Sequence, residues 1–216
     1  MALRAVAFDL DGTLYSFRHL ALRAVVFAAR NLRFAPVFSR VRAEIRKVRP
    51  IEDFHRCQTA LFAKASGLSV EKAAEWIERR IYGEWVHSFR SIVPYPGLRS
   101  FLDRIAERGL KAAVLSDFPV AEKLKYLGLE ECFEVAMCAE ESGYLKPNPE
   151  PFLLLSERLG VAPAELLFVG DSYEYDIVGA RELGLKTALI SSRRSPGKVD
   201  VRFTRYEALL AALDTL

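Results

Sequence analysis

The chain carries Val6-Ala7-Phe8-Asp9-Leu10-Asp11-Gly12-Thr13 close to its amino terminus. The apolar residues that open this stretch are typical of a buried parallel strand, which reads as a continuous hydrophobic run. Two aspartates and a glycine follow directly, a pattern typical of phosphoryl transfer. Open α/β sheets bind ligands at the carboxyl ends of their strands. The stretch therefore predicts a central strand with a chemical site at its end.

The composition is that of an ordinary soluble globular protein. Of the 216 residues, 51% are hydrophobic and 27% are charged, as in typical soluble domains. This length allows one large domain or a core domain with an insertion. The formal net charge of +3 gives no support for nucleic acid as a partner, and we predict none.

The sequence also predicts a cytoplasmic protein with no membrane partner. Charged and motif residues within the first dozen positions do not fit a signal peptide. Residues 20–38 are rather apolar, but Arg23, Arg30 and Arg33 interrupt them, and a membrane span needs about 20 mostly uncharged residues. The three cysteines form no C-x-x-C pair, so we expect free thiols rather than disulfides or a zinc site.

The organisation of the chain changes at Pro94. From there on, short apolar runs alternate with amphipathic helical segments, a pattern that indicates crossover units on a parallel sheet. Residues 16–92 lack strand patterning and are predicted to be helical, with Ser69 capping a helix over 71–89 and Pro50 starting another that Gly67 ends. We predict an α/β fold: a Rossmann-like parallel sheet core of residues 1–15 and 93–216, with helices on both faces, and an inserted helical domain of residues 16–92.

The two aspartates after the first strand suit different roles. A carboxylate at Asp9 can attack phosphorus and form an aspartyl phosphate. Asp11, two residues further on, can protonate the leaving alcohol and later activate water. Gly12 allows the backbone to turn sharply beside the phosphate.

Another acidic group follows a later strand, at Gly170-Asp171-Ser172 with Asp176 beyond it. Asp171 joins Asp9 as a candidate ligand of Mg²⁺, which prefers a few carboxylates together with phosphate oxygen and water. Asp176 is predicted to support this site as a neighbour or through a water molecule.

Two further residues are candidates for phosphate binding. Ser116 ends the predicted strand 111–115, where its hydroxyl and the nearby backbone N–H groups can meet phosphoryl oxygens. Lys146 precedes Pro147, which favours an extended lysine backbone. A rigidly placed ammonium group there can bind phosphate and offset the aspartates.

In their order along the chain, these segments resemble the four motifs of the haloacid dehalogenase superfamily, in particular its phosphatase branch with a small helical cap, similar to phosphoglycolate phosphatase. The resemblance implies a Mg²⁺ cofactor, Asp9 as nucleophile and metal ligand, Asp11 as acid/base and as a metal ligand through its backbone carbonyl, and Asp171 as a metal ligand. Asp117 lies in the phosphate-binding motif, where many relatives carry Asn. Residues 16–92 correspond to the cap. Gly12, Thr13, Gly170, Ser172 and Asp176 are the supporting residues.

The presence of Asp11 narrows the implied chemistry, because relatives that displace halide or cleave phosphorus–carbon bonds lack an acid there. We therefore expect a Mg²⁺-dependent phosphatase acting on a small soluble phosphate ester. The alternatives are a phosphomutase of the β-phosphoglucomutase type, which shares the same motifs, and a non-catalytic module that binds a phosphorylated ligand. A basic adaptor for anionic surfaces is a further alternative. A monomer or a homodimer is compatible with the sequence.

The first part of the inserted domain is strongly basic. Residues 16–50 contain nine arginines and lysines but a single acidic residue, Glu44. One hypothesis is that some of these arginines bind an anionic substrate, since guanidinium groups suit phosphate and carboxylate. The other is that they form a solvated helix surface that also pairs with the more acidic core.

Overall fold

The computed structural model describes residues 2–216, and their side chains apart from those of residues 19–24 and 215. Its centre is a parallel sheet of six strands in the order β3-β2-β1-β4-β5-β6. The strands are β1 (Ala5–Phe8), β2 (Lys111–Ser116), β3 (Val135–Cys138), β4 (Leu166–Gly170), β5 (Lys186–Ile190) and β6 (Val201–Phe203). This is the strand order of the doubly wound dinucleotide-binding fold, and it confirms the predicted fold class.

The helices either cover the two faces of the sheet or lie in the inserted segment, residues 16–92. They are α1 (Ala21–Arg30), α2 (Ala35–Ile45), α3 (Phe54–Ser66), α4 (Val70–Trp76), α5 (Leu98–Glu107), α6 (Ala121–Leu127), α7 (Pro149–Leu159), α8 (Gly179–Glu182) and α9 (Tyr206–Ala212). Successive residues of β1 point to opposite faces: Val6 and Phe8 join the core formed with α5, α6 and α9. Ala5 and Ala7 join the core formed with α7 and α8. Because β1 is fully buried between its neighbours, the motif at its end has a rigid base.

Helices α1–α4 lie within residues 16–92, the predicted inserted domain, which we term the cap, and this segment has a hydrophobic cluster of its own. Phe62 and Trp76 stack with ring centroids 4.9 Å apart, and Phe38 packs against both. The predicted domain bounds, residues 1–15 with 93–216 and residues 16–92, stay a prediction.

Two expectations for the cap helices need correction. Helix α3 begins at Phe54 rather than at Pro50, because the Asp53 side chain accepts a hydrogen bond from the backbone N–H of Arg56 (2.9 Å) and caps the helix there. The helix predicted over 71–89 is α-helical only to Trp76. It continues as a π-helix over Ile77–Glu84 and a 3₁₀ helix over Trp85–Phe89.

The apolar side chains along this segment belong to two different clusters. Ile77 and Ile81 pack in the cap cluster, whereas Trp85 and Phe89 pack against the core of the catalytic domain. Helix α4 itself begins as predicted, since Ser69 accepts from the backbone N–H of Lys72 (3.4 Å).

The chain passes between core and cap through two adjacent segments. Tyr15 forms an antiparallel bridge with Pro94, and the backbone N–H of Tyr95 donates to the carbonyl oxygen of Leu14 (2.8 Å). All three cysteines are free, as expected. Among the described residues, no helix has the length and apolar character that crossing a bilayer requires.

Candidate active site

Asp9 lies directly after β1 and is almost completely buried. Its Oδ1 accepts a hydrogen bond from Lys146 Nζ (2.7 Å), and its Oδ2 accepts from the Thr13 hydroxyl (3.1 Å). Burial raises the pKa of Asp9 well above its usual value, and Lys146 counters part of that effect. Donors on both oxygens fix the rotation of this carboxylate.

Lys146 bridges two carboxylates in the interior. Its side chain is 2% exposed, and its Nζ lies 2.7 Å from both Asp9 Oδ1 and Asp176 Oδ1. Burial lowers the pKa of Lys146, but the charges of Asp176 and Asp9 outweigh this and raise it above its usual range. The lysine is therefore held as a cation at the position predicted for phosphate binding. Asp176 also accepts from the backbone N–H of Ser172 (3.0 Å), which ties it to the end of β4.

Three carboxylates converge beside this lysine. Oxygens of Asp9, Asp171 and Asp176 all lie within 4.8 Å of one another. Asp171 is at the solvent-facing edge, where partial desolvation and the repulsion of Asp176 raise its pKa to about 7. Crowded oxygen donors of this type suit Mg²⁺. Among the described side chains, these three carboxylates and that of Asp11 have two lysine partners, Lys146 and Lys123, so the charge of the site also fits a divalent cation.

Two of the predicted supporting glycines are needed for this convergence. Gly12 has φ +98°, which favours glycine, and a Cβ there would collide with the carboxylate of Asp171. A Cβ on Gly170 would collide with the side chain of Asp176. Because Gly12 and Gly170 have no side chains, the loops after β1 and β4 can approach each other closely.

Asp11 faces a different set of partners from Asp9. Its Oδ1 accepts from the Tyr15 hydroxyl (2.5 Å), and its Oδ2 accepts from Lys123 Nζ (2.5 Å) and from the Ser116 hydroxyl (3.2 Å). Asp11 is not one of the three carboxylates whose oxygens lie within 4.8 Å of one another. Its predicted contribution to metal binding concerns the backbone carbonyl and stays a prediction.

Lys123 and Tyr15 are site residues that sequence reasoning missed. Lys123 is 3% exposed, and its ammonium group lies 4.6 Å from the centre of the Phe89 ring. A signal existed for it, because on helix α6 it shares the inward face of Val120 and Leu127, which are three and four residues away. A lysine on a buried face needs a partner, and here the partner is Asp11.

The structure gives Asp117 different contacts from those expected of a phosphate ligand. Its Oδ2 pairs with Arg46 Nη2 of the cap (2.5 Å), its Oδ1 accepts from the backbone N–H of Lys146 (3.1 Å), and its backbone carbonyl accepts from Arg42. Asp117 thus connects the loop after β2 with the loop that carries Lys146 and with the cap. Its predicted role in phosphate binding stays a prediction.

The two cap arginines also bind other parts of the core. Arg42 forms a buried ion pair with Glu140, and Arg46 Nε donates to the backbone carbonyl of Lys146 (2.7 Å). Their guanidinium groups lie 4.3 Å from the ring centres of Phe118 and Tyr175 respectively. For Arg42 and Arg46, pairing with the acidic core is the interpretation that the structure supports.

The carboxylates open into a cavity of about 410 Å³ beneath the cap. Its floor contains Asp9, Asp11, Ser116 and Lys146, and its upper wall is aromatic. The wall is formed by Phe17, Trp85, Phe89, Phe118 and Tyr175. The predicted catalytic residues Asp9 and Asp11 and the predicted phosphate-binding residues Ser116, Asp117 and Lys146 therefore line one cavity.

A family model described as haloacid dehalogenase-like hydrolase matches residues 3–184. The chain belongs to this family. It is 32% identical over 197 residues to the N-acetylmuramic acid 6-phosphate phosphatase of Pseudomonas aeruginosa, covering 88% of this chain and 82% of the relative. It is 30% identical over 238 residues to the phosphoglycolate phosphatase of Shigella dysenteriae, covering 98% and 92%.

A solved structure gives the same result. The HAD phosphatase from Thermococcus onnurineus superimposes with a TM-score of 0.64 at 26% identity, covering 98% of each chain. The chain is a hydrolase of this family and, within it, a phosphoric monoester hydrolase.

Proposed function

We propose that this protein is a cytoplasmic, Mg²⁺-dependent phosphatase that hydrolyses a small phosphate monoester through an aspartyl-phosphate intermediate on Asp9. The observation that carries the proposal is the pairing of two differently held carboxylates in one cavity. Asp9 is oriented by Lys146 and Thr13, and Asp11 by Lys123 and Tyr15. One carboxylate is available for attack and the other for proton transfer.

In the first step an Asp9 oxygen forms a bond to phosphorus while the bond to the leaving oxygen breaks. Asp11 gives its proton to that oxygen, which leaves as an alcohol. In the second step water attacks phosphorus, Asp11 takes the water proton, and the bond between Asp9 and phosphorus breaks. Asp11 accepts hydrogen bonds on both oxygens, an arrangement that suits the carboxylate form used in the second step.

The remaining residues bind and orient the phosphoryl group. Lys146 offers positive charge from a fixed position, and Ser116 offers a hydroxyl at the end of β2. Asp9 and Asp171, with the Asp11 backbone carbonyl, would hold Mg²⁺, which neutralises phosphoryl charge and fixes geometry when bound. We propose that Asp117 acts by holding the Ser116 and Lys146 loops together.

Release of p-nitrophenol from p-nitrophenyl phosphate tests this proposal. We expect activity with Mg²⁺, its loss in EDTA and its return when Mg²⁺ is restored. Asp9→Asn should lower kcat by about 10⁴-fold or more, since it removes the nucleophile. The exposed Asp103 provides the control Asp103→Asn, which should match the parent.

Metal-independent release that Asp9→Asn leaves undiminished would contradict the proposal. Dependence on a bisphosphate activator, with a long-lived phosphoenzyme, would instead indicate a phosphomutase. Tight binding of a phosphorylated metabolite without turnover would indicate a non-catalytic binding module.

A further inference from the structure

A second cavity lies next to the active-site cavity, between the cap and the core. This cap cavity has a volume of about 330 Å³ and shares Trp85, Phe118 and Tyr175 with the active-site cavity. Its other walls include Phe27, Phe38 and Ile81. A cavity of about 150 Å³ is enough for benzene, so the cap cavity has room for a ring-sized group. Its walls are mainly apolar and aromatic.

The cations at this cavity are already paired. Arg42 and Arg46 line it, but Arg42 is bound to Glu140 and Arg46 to Asp117. In the active-site cavity, Lys146 is bound to Asp9 and Asp176. Among the described side chains, neither cavity is lined by an unpaired arginine or lysine. A carboxylate or second phosphate entering the cap cavity would lose its hydration without gaining a counter-charge, which is costly.

A third cavity, of about 490 Å³, lies on the other side of Phe17 and contains Arg18 and Arg193. It shares Phe17 and Asp171 with the active-site cavity, whereas the cap cavity shares Trp85, Phe118 and Tyr175 with it. Asp9 and Asp11 line the active-site cavity but neither of the other two. The leaving oxygen must lie within reach of Asp11, its proton donor. Asp11 accepts a hydrogen bond from Lys123 Nζ, which lies 5.6 Å from the centre of the Phe118 ring, and Phe118 lines the cap cavity. This contact favours the cap cavity as the place for the leaving group.

We propose that the substrate is a phosphate monoester whose alcohol portion is uncharged and presents a flat apolar face to the cap cavity. This inference rests on the proposed phosphatase function and specifies its substrate class. Acidic alcohols such as glycolate are disfavoured, because the paired arginines leave no cation for a carboxylate.

The test compares benzyl phosphate with 4-carboxybenzyl phosphate, which differ in one remote charge. Phosphate release with Mg²⁺ gives kcat/KM for each ester. We expect benzyl phosphate to be preferred by on the order of tenfold or more, since the carboxylate is desolvated without a partner. Equal values, or a preference for the carboxylated ester, would overturn the proposal. A preference for the carboxylated ester that Arg18→Ala or Arg193→Ala abolishes would place the leaving group in the third cavity instead.

A gain-of-function variant gives a second test. Ser39 lines the cap cavity and is exposed, so Ser39→Arg adds an unpaired cation without disturbing the buried cluster. It should raise kcat/KM for 4-carboxybenzyl phosphate relative to benzyl phosphate by on the order of tenfold. Ser39→Gln adds bulk without charge and should leave the ratio of the two esters within about twofold of the parent. Equal changes of this ratio in both variants would overturn the proposal.

p-Nitrophenyl phosphate separates the two levels of the inference. If it is hydrolysed while the two benzyl esters react equally, the phosphatase function stands and the substrate class is wrong. If Mg²⁺-dependent hydrolysis is absent with all three esters, both proposals fail.

Discussion

Lys146 in the core and Arg46 in the cap are both cations bound to aspartates, but the pairs differ in position. Lys146 lies at the floor of the active-site cavity and joins two carboxylates that have no other cation among their described partners. Arg46 joins Asp117 to the cap and also contacts the backbone carbonyls of Arg42 and Lys146. The lysine makes a crowded acidic site stable, whereas the arginine attaches one domain to the other.

The difference shows that a charge next to the active site is not necessarily a charge for the substrate. Guanidinium groups can donate in several directions at once, so Arg42 and Arg46 can each bind a carboxylate and backbone carbonyls across the domain boundary. An ammonium group is a compact charge and suits the space between Asp9 and Asp176. Three predictions test whether Lys146 serves the active site and Arg46 the attachment of the cap to the core.

The largest effect is expected from Lys146→Met. Removing one partner of a buried ion pair leaves uncompensated charge, which typically costs about 3–5 kcal/mol. The free energy of unfolding, from urea denaturation, should fall by about that amount, and kcat/KM should fall by about 10³-fold because a preorganised positive charge is lost. Lys64→Met on the exposed face of α3 is the control and should change neither quantity. If Lys146→Met retained its activity, the proposed difference between the roles of Lys146 and Arg46 would be wrong.

An intermediate effect is expected from Lys123→Met. Lys123 donates to Asp11, so its loss should misplace the acid and lower kcat by about 10- to 100-fold for an alkyl phosphate, whose leaving group needs a proton. p-Nitrophenyl phosphate, with a better leaving group, should be affected less. Lys125 is exposed on the same helix, and Lys125→Met should behave as the parent. The same loss with both esters would show that Lys123 has only a structural role.

The smallest effect is expected for Arg46 and Asp117, in a double-mutant cycle with Arg46→Gln and Asp117→Asn. Both side chains are 14% exposed, so their coupling should be about 1–2 kcal/mol in the free energy of unfolding. The pair of Arg49 and Glu150 is more exposed, at 46% and 29%, and should show about 0.2–1 kcal/mol. Arg40→Gln, on the exposed side of α2, is the control.

If the arginine acts by attachment, Arg46→Gln should also raise KM more than it lowers kcat, because the loops that carry Lys146 and Asp117 are held less firmly. A loss confined to kcat would instead place Arg46 in the chemical step.

Much of the core could be predicted because its signals are local. Buried strands appear as apolar runs, and Gly128 and Gly160 end helices in the left-handed conformation that glycine favours. The motif aspartates follow strands that end at one edge of the sheet, so their proximity follows from topology.

The cap was less predictable because its contacts are distant in the sequence. Arg42 and Glu140 are 98 residues apart, and nothing near either residue indicates its partner. The π-helix over Ile77–Glu84 keeps an approximately helical pattern of apolar residues, so the pattern does not indicate the change of helix type. Trp85, which follows this segment, packs against the core of the sheet, and no local pattern indicates that contact.

The bridge between Tyr15 and Pro94 has an evolutionary consequence. The polypeptide leaves and rejoins the core at neighbouring positions, so the cap is connected to the core at one place. Replacing residues 16–92 with a segment of different size would not require any strand of the sheet to change its neighbour. During evolution the cap could in this way be replaced while the active-site residues of the core stayed unchanged. A replacement cap would need a residue of its own that binds the core as Arg46 does.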